Sequence, residues 1–115
     1  MDTTELVIGI LTDALTVPAS TDMPADGPKR AVLVDLSGDQ STPFLLMPRY
    51  ALTCWGDSDR DAKGIALSAV QALQEAAETH PYLSACQLET MSREEWSRNG
   101  QGRYVAEVQL VINTE

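Results

Sequence analysis

Few residues in this chain could carry covalent or acid–base chemistry, and their spacing does not bring them together. His80, the only histidine, stands between a helical pattern and Pro81. An imidazole there complements the negative end of a helix dipole, which accounts for it without a catalytic or ligand role. Asp57, Asp59 and Asp61 alternate just ahead of an apolar-periodic run. Such carboxylates could hold a divalent cation, but acids in a first helical turn more commonly serve the positive dipole end and the free N–H groups, so they read as capping residues. Cys54 and Cys86 lie far apart in apolar, strand-like contexts without a CxxC motif. They read as two free buried thiols rather than as a disulfide or a metal pair. No GxGxxG, Walker loop or HExxH is present, and one histidine builds no triad. The chain is expected to be no enzyme and to use no cofactor and no metal.

What the sequence does offer is material for contact. The stretch VPASTDMPADGPKR, residues 17–30, contains three prolines, and each removes a backbone donor and holds its predecessor extended. It reads as an extended arm or edge segment, closed by a turn at Asp26-Gly27-Pro28. Trp96 stands in the otherwise polar SREEWSRNGQG, with Glu94-Glu95, Arg93 and Arg98 around it. A large aromatic in such a segment either folds back onto its own domain or anchors a partner, and Met23 has the same two readings. The candidate contacts to other subunits are Val17, Pro18, Met23, Pro24, Pro28, Arg93, Trp96 and Arg98.

The elements that must position these residues follow from periodicity. Leu6, Val7, Ile10, Leu11, Ala14 and Leu15 predict a first helix over 4–15, with Thr3 or Thr4 as its cap. RAVLVDL, 30–36, predicts a strand with Val32, Val34 and Leu36 on one face. Ser37-Gly38-Asp39-Gln40 supplies a hairpin turn, and FLLMPRYALTCW, 44–55, returns with a bend at Pro48 and with Tyr50, Leu52 and Cys54 inward. The long helix over 57–79 starts at Ser58 and Asp61 in a capping-box-like pattern and carries a stripe of Ala62, Ile65, Ala66, Ala69, Val70, Leu73, Ala76 and Ala77. So many alanines let a helix lie close on a sheet. SACQLETM, 84–91, predicts a strand with Cys86 and Leu88 on its apolar side, then a polar loop turning at Asn99-Gly100. RYVAEVQLVI, 103–112, closes the pattern with Tyr104, Ala106, Val108, Leu110 and Ile112 on one face. The fold class is α/β in the α+β sense: a small mixed or antiparallel sheet of about four strands, two helices mainly on one face, and the proline-rich edge segment.

At 115 residues, with 43% hydrophobic and 22% charged side chains, the chain suits a single domain over 1–115. MDTTELVIGIL lacks the charge and length of a signal peptide, and no stretch has the ~20 apolar residues that span a bilayer, so a reducing, cytosol-like compartment without membrane contact is expected. Seventeen acids against eight bases give a net charge of −9, which disfavours sequence-specific nucleic-acid binding.

Three stretches in order, VPASTDMPADGPKRAVLV, YALTCWGDSDRDAKGIALSAVQAL and GRYVAEVQLVI, resemble the tail terminator (tail completion or minor tail) proteins of long-tailed bacteriophages and prophages, particularly those of actinobacterial type. The likeness lies in an extended Val-Pro segment leading into a strand, a strand ending in Trp and a small residue before an acidic, alanine-rich helix, and a closing Arg-Tyr strand. It covers roughly residues 5–112; Ala31 stands where the family often has an aromatic. The resemblance implies a structural virion subunit that assembles as a ring, typically a hexamer, at the head-proximal end of the tail after assembly in the host cytoplasm. Such a ring caps the finished tube of the major tail tube protein and meets a neck or head–tail connector protein. DNA passes through its lumen without specific binding. Six copies at −9 would carry about −54, a sign that suits sliding rather than gripping. Another neck or connector subunit is the alternative, and a small acidic ligand-binding or enzymatic domain using Asp57 to Asp61 and His80 is a more distant one.

Overall fold

The computed structural model describes residues 3–22, 30–43, 45–94 and 102–113. In chain order the elements are α1 (Thr3–Ala14), β1 (Ala19–Ser20), β2 (Ala31–Asp39), β3 (Pro48–Gly56), α2 (Asp59–Thr79), β4 (Leu83–Glu94) and β5 (Gly102–Ile112). The strands form one mixed sheet in the order β1-β2-β3-β5-β4. β1 runs parallel to β2 and every other neighbour is antiparallel. The fifth strand, beyond the four or so that periodicity suggests, is the two-residue β1, and it comes from the start of the proline-rich stretch. Pro18 precedes it and still contributes its carbonyl, which accepts from the Val32 N–H at 2.9 Å. The segment is thus an edge, as prolines require.

Alternation decides which sheet face is covered. Val32 and Val34 of β2, Tyr50, Leu52 and Cys54 of β3, and Ala106, Val108, Leu110 and Ile112 of β5 are all buried and share a core with Val7 and Leu11 of α1 and the stripe Ile65, Ala66, Ala69, Val70, Leu73 of α2. The alternate residues of β5, among them Val105, Glu107, Gln109 and Val111, are half-buried. Both helices therefore lie on one face, and the other carries no helix among the described residues. Tyr50 Oη, fully inside, reaches the hydroxyls of Thr3 and Thr4 at 2.7 and 2.9 Å, so the residues read as the cap of α1 also tie it to the sheet.

Two glycines let α2 meet the sheet at close range. Gly56 ends β3 and pairs with Gly102, which begins β5. A Cβ on Gly56 would come within 2.3 Å of the Ala62 nitrogen, and one on Gly102 within 2.3 Å of the Asp59 nitrogen. The first turn of α2 rests directly on these two strand ends, and no side chain fits between.

Two expectations need correction. Ser37-Gly38-Asp39 is not the hairpin turn: β2 continues through it with a bulge between Leu36 and Gly38. The chain reverses between Gln40 and Met47, where the Gln40 N–H donates to the Met47 carbonyl at 3.0 Å and Asp39 accepts from the Ser41 N–H at 2.8 Å. A glycine amid polar residues gives the same local signal in a bulge as in a turn. β3 accordingly starts at Pro48, while Leu46 still bridges Ile112. The second correction concerns β4, which does not stop at Met91. Ser92, Arg93 and Glu94 pair with Val105, Tyr104 and Arg103. Their polarity does not prevent this, because side chains on an edge strand face water and Glu94 pairs with Arg103 at 2.7 Å. The turn read at Asn99-Gly100 lies outside the described residues.

Replacing Gly102 with Ala is expected to cost about 3 kcal/mol or more, because the clash is with backbone. Replacing Gly64, which is exposed in α2 with nothing within 4 Å of an added Cβ, with Ala is expected to stabilise by roughly 0.5–1 kcal/mol. Urea denaturation of the two variants checks both; a tolerated Gly102→Ala would refute the close-contact account.

Candidate functional site

The acidic cluster is built by the start of α2. Ser58 takes an extended conformation as the cap, and its Oγ accepts from the Asp61 N–H at 3.1 Å. Asp61 in turn accepts from the Asp57 N–H at 2.9 Å, one residue before the cap, and from Arg30 through Nε at 2.9 Å and Nη2 at 3.1 Å. Its carboxyl is held below the ordinary 3.8, chiefly by the Asp57 N–H; partial desolvation opposes this, and the Arg30 guanidinium adds to it. Asp59 pairs with Arg93 Nη1 at 3.1 Å. Two of the three carboxylates thus hold cations of their own chain, and no group of three metal-ligating side chains occurs among the described residues. The arrangement is a brace: α2 binds the entry to β2 through Arg30 and the far end of β4 through Arg93.

His80 caps the other end of α2. Its N–H donates to the Ala76 carbonyl at 2.6 Å, and its Nδ1 accepts from the Tyr82 N–H at 3.2 Å. The ring is engaged in ending the helix. The thiols are both free; Cys54 is buried and Cys86 half-buried. Burial pushes Cys54 up to about 12 and Cys86 to about 11, which leaves neither nucleophilic at neutral pH.

Of the candidate contacts, Val17 is buried in the core of its own domain, Pro18 lies at the sheet edge beside β2, and Arg93 is half-exposed while bound to Asp59. Met23, Pro24, Pro28, Trp96 and Arg98 lie outside the described residues. Val17 also lines an open groove of about 520 Å³ between the end of α1 and the face of α2 that carries Arg60, Gly64 and Ser68.

The bare sheet face and the two sheet edges complete the inventory. Across the bare face, Arg49 reaches over β5 to Glu89 at 3.2 Å, and Gln109 donates to the Met47 carbonyl at 2.8 Å. Trp55 is buried although it alternates away from the core, and the Arg103 guanidinium lies 6.0 Å from its ring centre. At the edges, Leu36 of β2 is 53% exposed and Leu88 of β4 is 36% exposed. Alternation places both on the helix side of the sheet, as read from the sequence, yet the helices leave them uncovered.

No family model and no curated protein matches the sequence. In three dimensions the chain is similar to one from the virion of a native gene transfer agent (GTA) particle, with a TM-score of 0.59 and 13% identity over 94% of this chain and 84% of that one. At that identity the likeness is one of fold, and it extends over nearly the full length of both.

Two predictions follow from the chemistry of these groups. Because the folded-state pKa of Asp61 is depressed, its contribution is complete above its ordinary 3.8 and is lost as pH falls through the lower folded value. Asp61→Asn should therefore lower stability at neutral pH and converge with the parent as the pH falls below 3.8 and through the lower folded-state value, measured by urea midpoints. A constant difference across that range would refute the assignment. Neither thiol should react with an aromatic disulfide reagent in the native protein at neutral pH, both should react in urea, and prompt native labelling of Cys54 would contradict its burial.

Proposed function

We propose that this chain is a structural subunit of a phage-type virion and, within that class, a tail terminator: a hexameric ring that caps the completed tail tube and forms the surface on which the head joins. The observation that carries the reading is the end-to-end likeness of its fold to a chain from a virion particle. Three sequence stretches that independently resemble the terminator family support it. The functional groups agree with a protein whose work is contact: the acidic cluster braces its own fold, His80 ends a helix, and the thiols are suppressed by burial. In this reading the chain is not an enzyme. Its partners are further copies of itself, the major tail tube protein and a neck or head–tail connector protein, and it sits at the head-proximal end of the tail. DNA meets it only in passage, past a subunit whose net charge of −9 disfavours a grip on phosphate.

Light scattering and negative-stain electron microscopy of the purified chain, alone and mixed with polymerised tail tubes, test this. Hollow rings of about six times 12.5 kDa, free or seated at tube ends, are expected. A protein that forms no ring and leaves tube ends bare, or that shows metal-dependent turnover abolished by Asp59→Ala, would overturn the proposal.

A further inference from the structure

Among the described residues the two outer edges of the sheet are both open, and they match. At one side β1 pairs only with Val32 and Leu33, so beyond Leu33 the outer backbone row of β2 has no strand partner among the described residues. At the other side β4, twelve residues long, is the edge strand throughout. Natural edges are commonly defended by charge, proline or brevity. β4 has little of this: its residues 83–92 include one charged side chain, Glu89, in a chain that is 22% charged. Glu89 is the extra residue of the bulge between Leu88 and Thr90 and is drawn onto Arg49.

The registers connect the edges. Leu36 pairs with Tyr50, Tyr50 with Val108, and Val108 with Leu88, so the two exposed leucines are the ends of a single cross-strand row on the helix side of the sheet. Strand direction alternates along β2, β3, β5 and β4, so β4 runs opposite to β2. A second copy rotated about an axis along the strands therefore brings its β2 antiparallel to β4 of the first, the better hydrogen-bonded geometry. In unshifted register Leu88 then meets Leu36 of the neighbour, and the regular run Ala85–Leu88 lies along Leu36–Asp39, where β2 itself carries its bulge at Ser37. The neighbour's β1 occupies the edge at Leu33 and Val32, so in this register the contact runs no further along β4 than Met91.

We infer that β4 of one copy adds to β2 of the next, with Leu88 packed on Leu36, so that the sheets continue from subunit to subunit. This head-to-tail contact is heterologous and closes only as a ring or runs on as a filament; its closure into a hexamer rests on the function proposed above. Directly opposed residues of an antiparallel pair lie about 4.5–5.5 Å apart at Cα, within disulfide reach. The test is oxidative cross-linking of the full chain carrying Leu36→Cys and Leu88→Cys together with Cys86→Ser, and of each single variant, with and without tail tubes. A ladder ending at six in the double variant, and monomer in either single variant, is the expected result. Dimers from Leu88→Cys alone would mean two-fold β4–β4 pairing and overturn the inference. Rings or capped tubes without the cross-link would overturn the pairing and leave the ring standing, whereas no oligomer in any condition would overturn both.

Discussion

Much of this fold depends on how closely α2 can approach the sheet. Its first turn has backbone against backbone at Gly56 and Gly102, and its buried stripe is largely alanine along the rest of its length. An alanine stripe contributes little apolar area per residue, so most of the large, fully buried side chains come from the strands and α1, among them Tyr50, Leu52, Leu110, Ile112 and Leu11, with Leu73 the main one from α2. The close approach has an electrostatic consequence. It brings the acidic first turn to the strand ends, where Arg30 and Arg93 can reach it from opposite sides of the sheet. Each ion pair is exposed and individually weak. Together with the Ser58 cap and the Asp57 N–H they fix where α2 begins, which in turn fixes the glycine contact.

What was legible in the sequence was whatever a single period could encode. The alternation of β3 and β5 gave the buried residues Tyr50, Leu52, Cys54, Ala106, Val108, Leu110 and Ile112 correctly, and the stripe of α2 was equally plain. The cap at Ser58 was legible too, since an acid three residues after a serine at the head of an apolar stripe has few other uses. Less legible were features set by neighbours distant in sequence. Ser37-Gly38-Asp39 has turn composition but strand geometry, because β3 offers it a partner across the bulge. Ser92 to Glu94 has loop composition but strand geometry, because β5 continues beside it.

The candidate site was read more unevenly. Residue type assigned His80 and the Asp57–Asp61 cluster to the two ends of α2, and the structure places both there in helix-end hydrogen bonds. It placed Val17 among surface contacts, whereas the residue is 7% exposed in its own core, since a valine beside a proline carries no sign of which way the chain turns next. The leucines at 36 and 88 were assigned the right face, but their exposure was not legible from it. Face is a property of one strand, but cover depends on how far the helices extend across the sheet, and that follows from the packing of α1 and α2 rather than from any local pattern.

The charge of the chain limits how copies of it can associate. At −9 each, subunits repel over a Debye length, and a contact built from charged side chains would need basic groups that this sequence scarcely has. The few arginines near the candidate surfaces are already engaged: Arg30 with Asp61, Arg49 with Glu89, Arg93 with Asp59, and Arg103 with Glu94. Backbone hydrogen bonds and apolar side chains carry no net charge, so cohesion through a sheet edge is open to an acidic subunit where salt-bridged cohesion is not. The acidic groups would then be left on the remaining surface. In this way an acidic composition favours a strand edge over ion pairs as the means by which copies of the chain could associate.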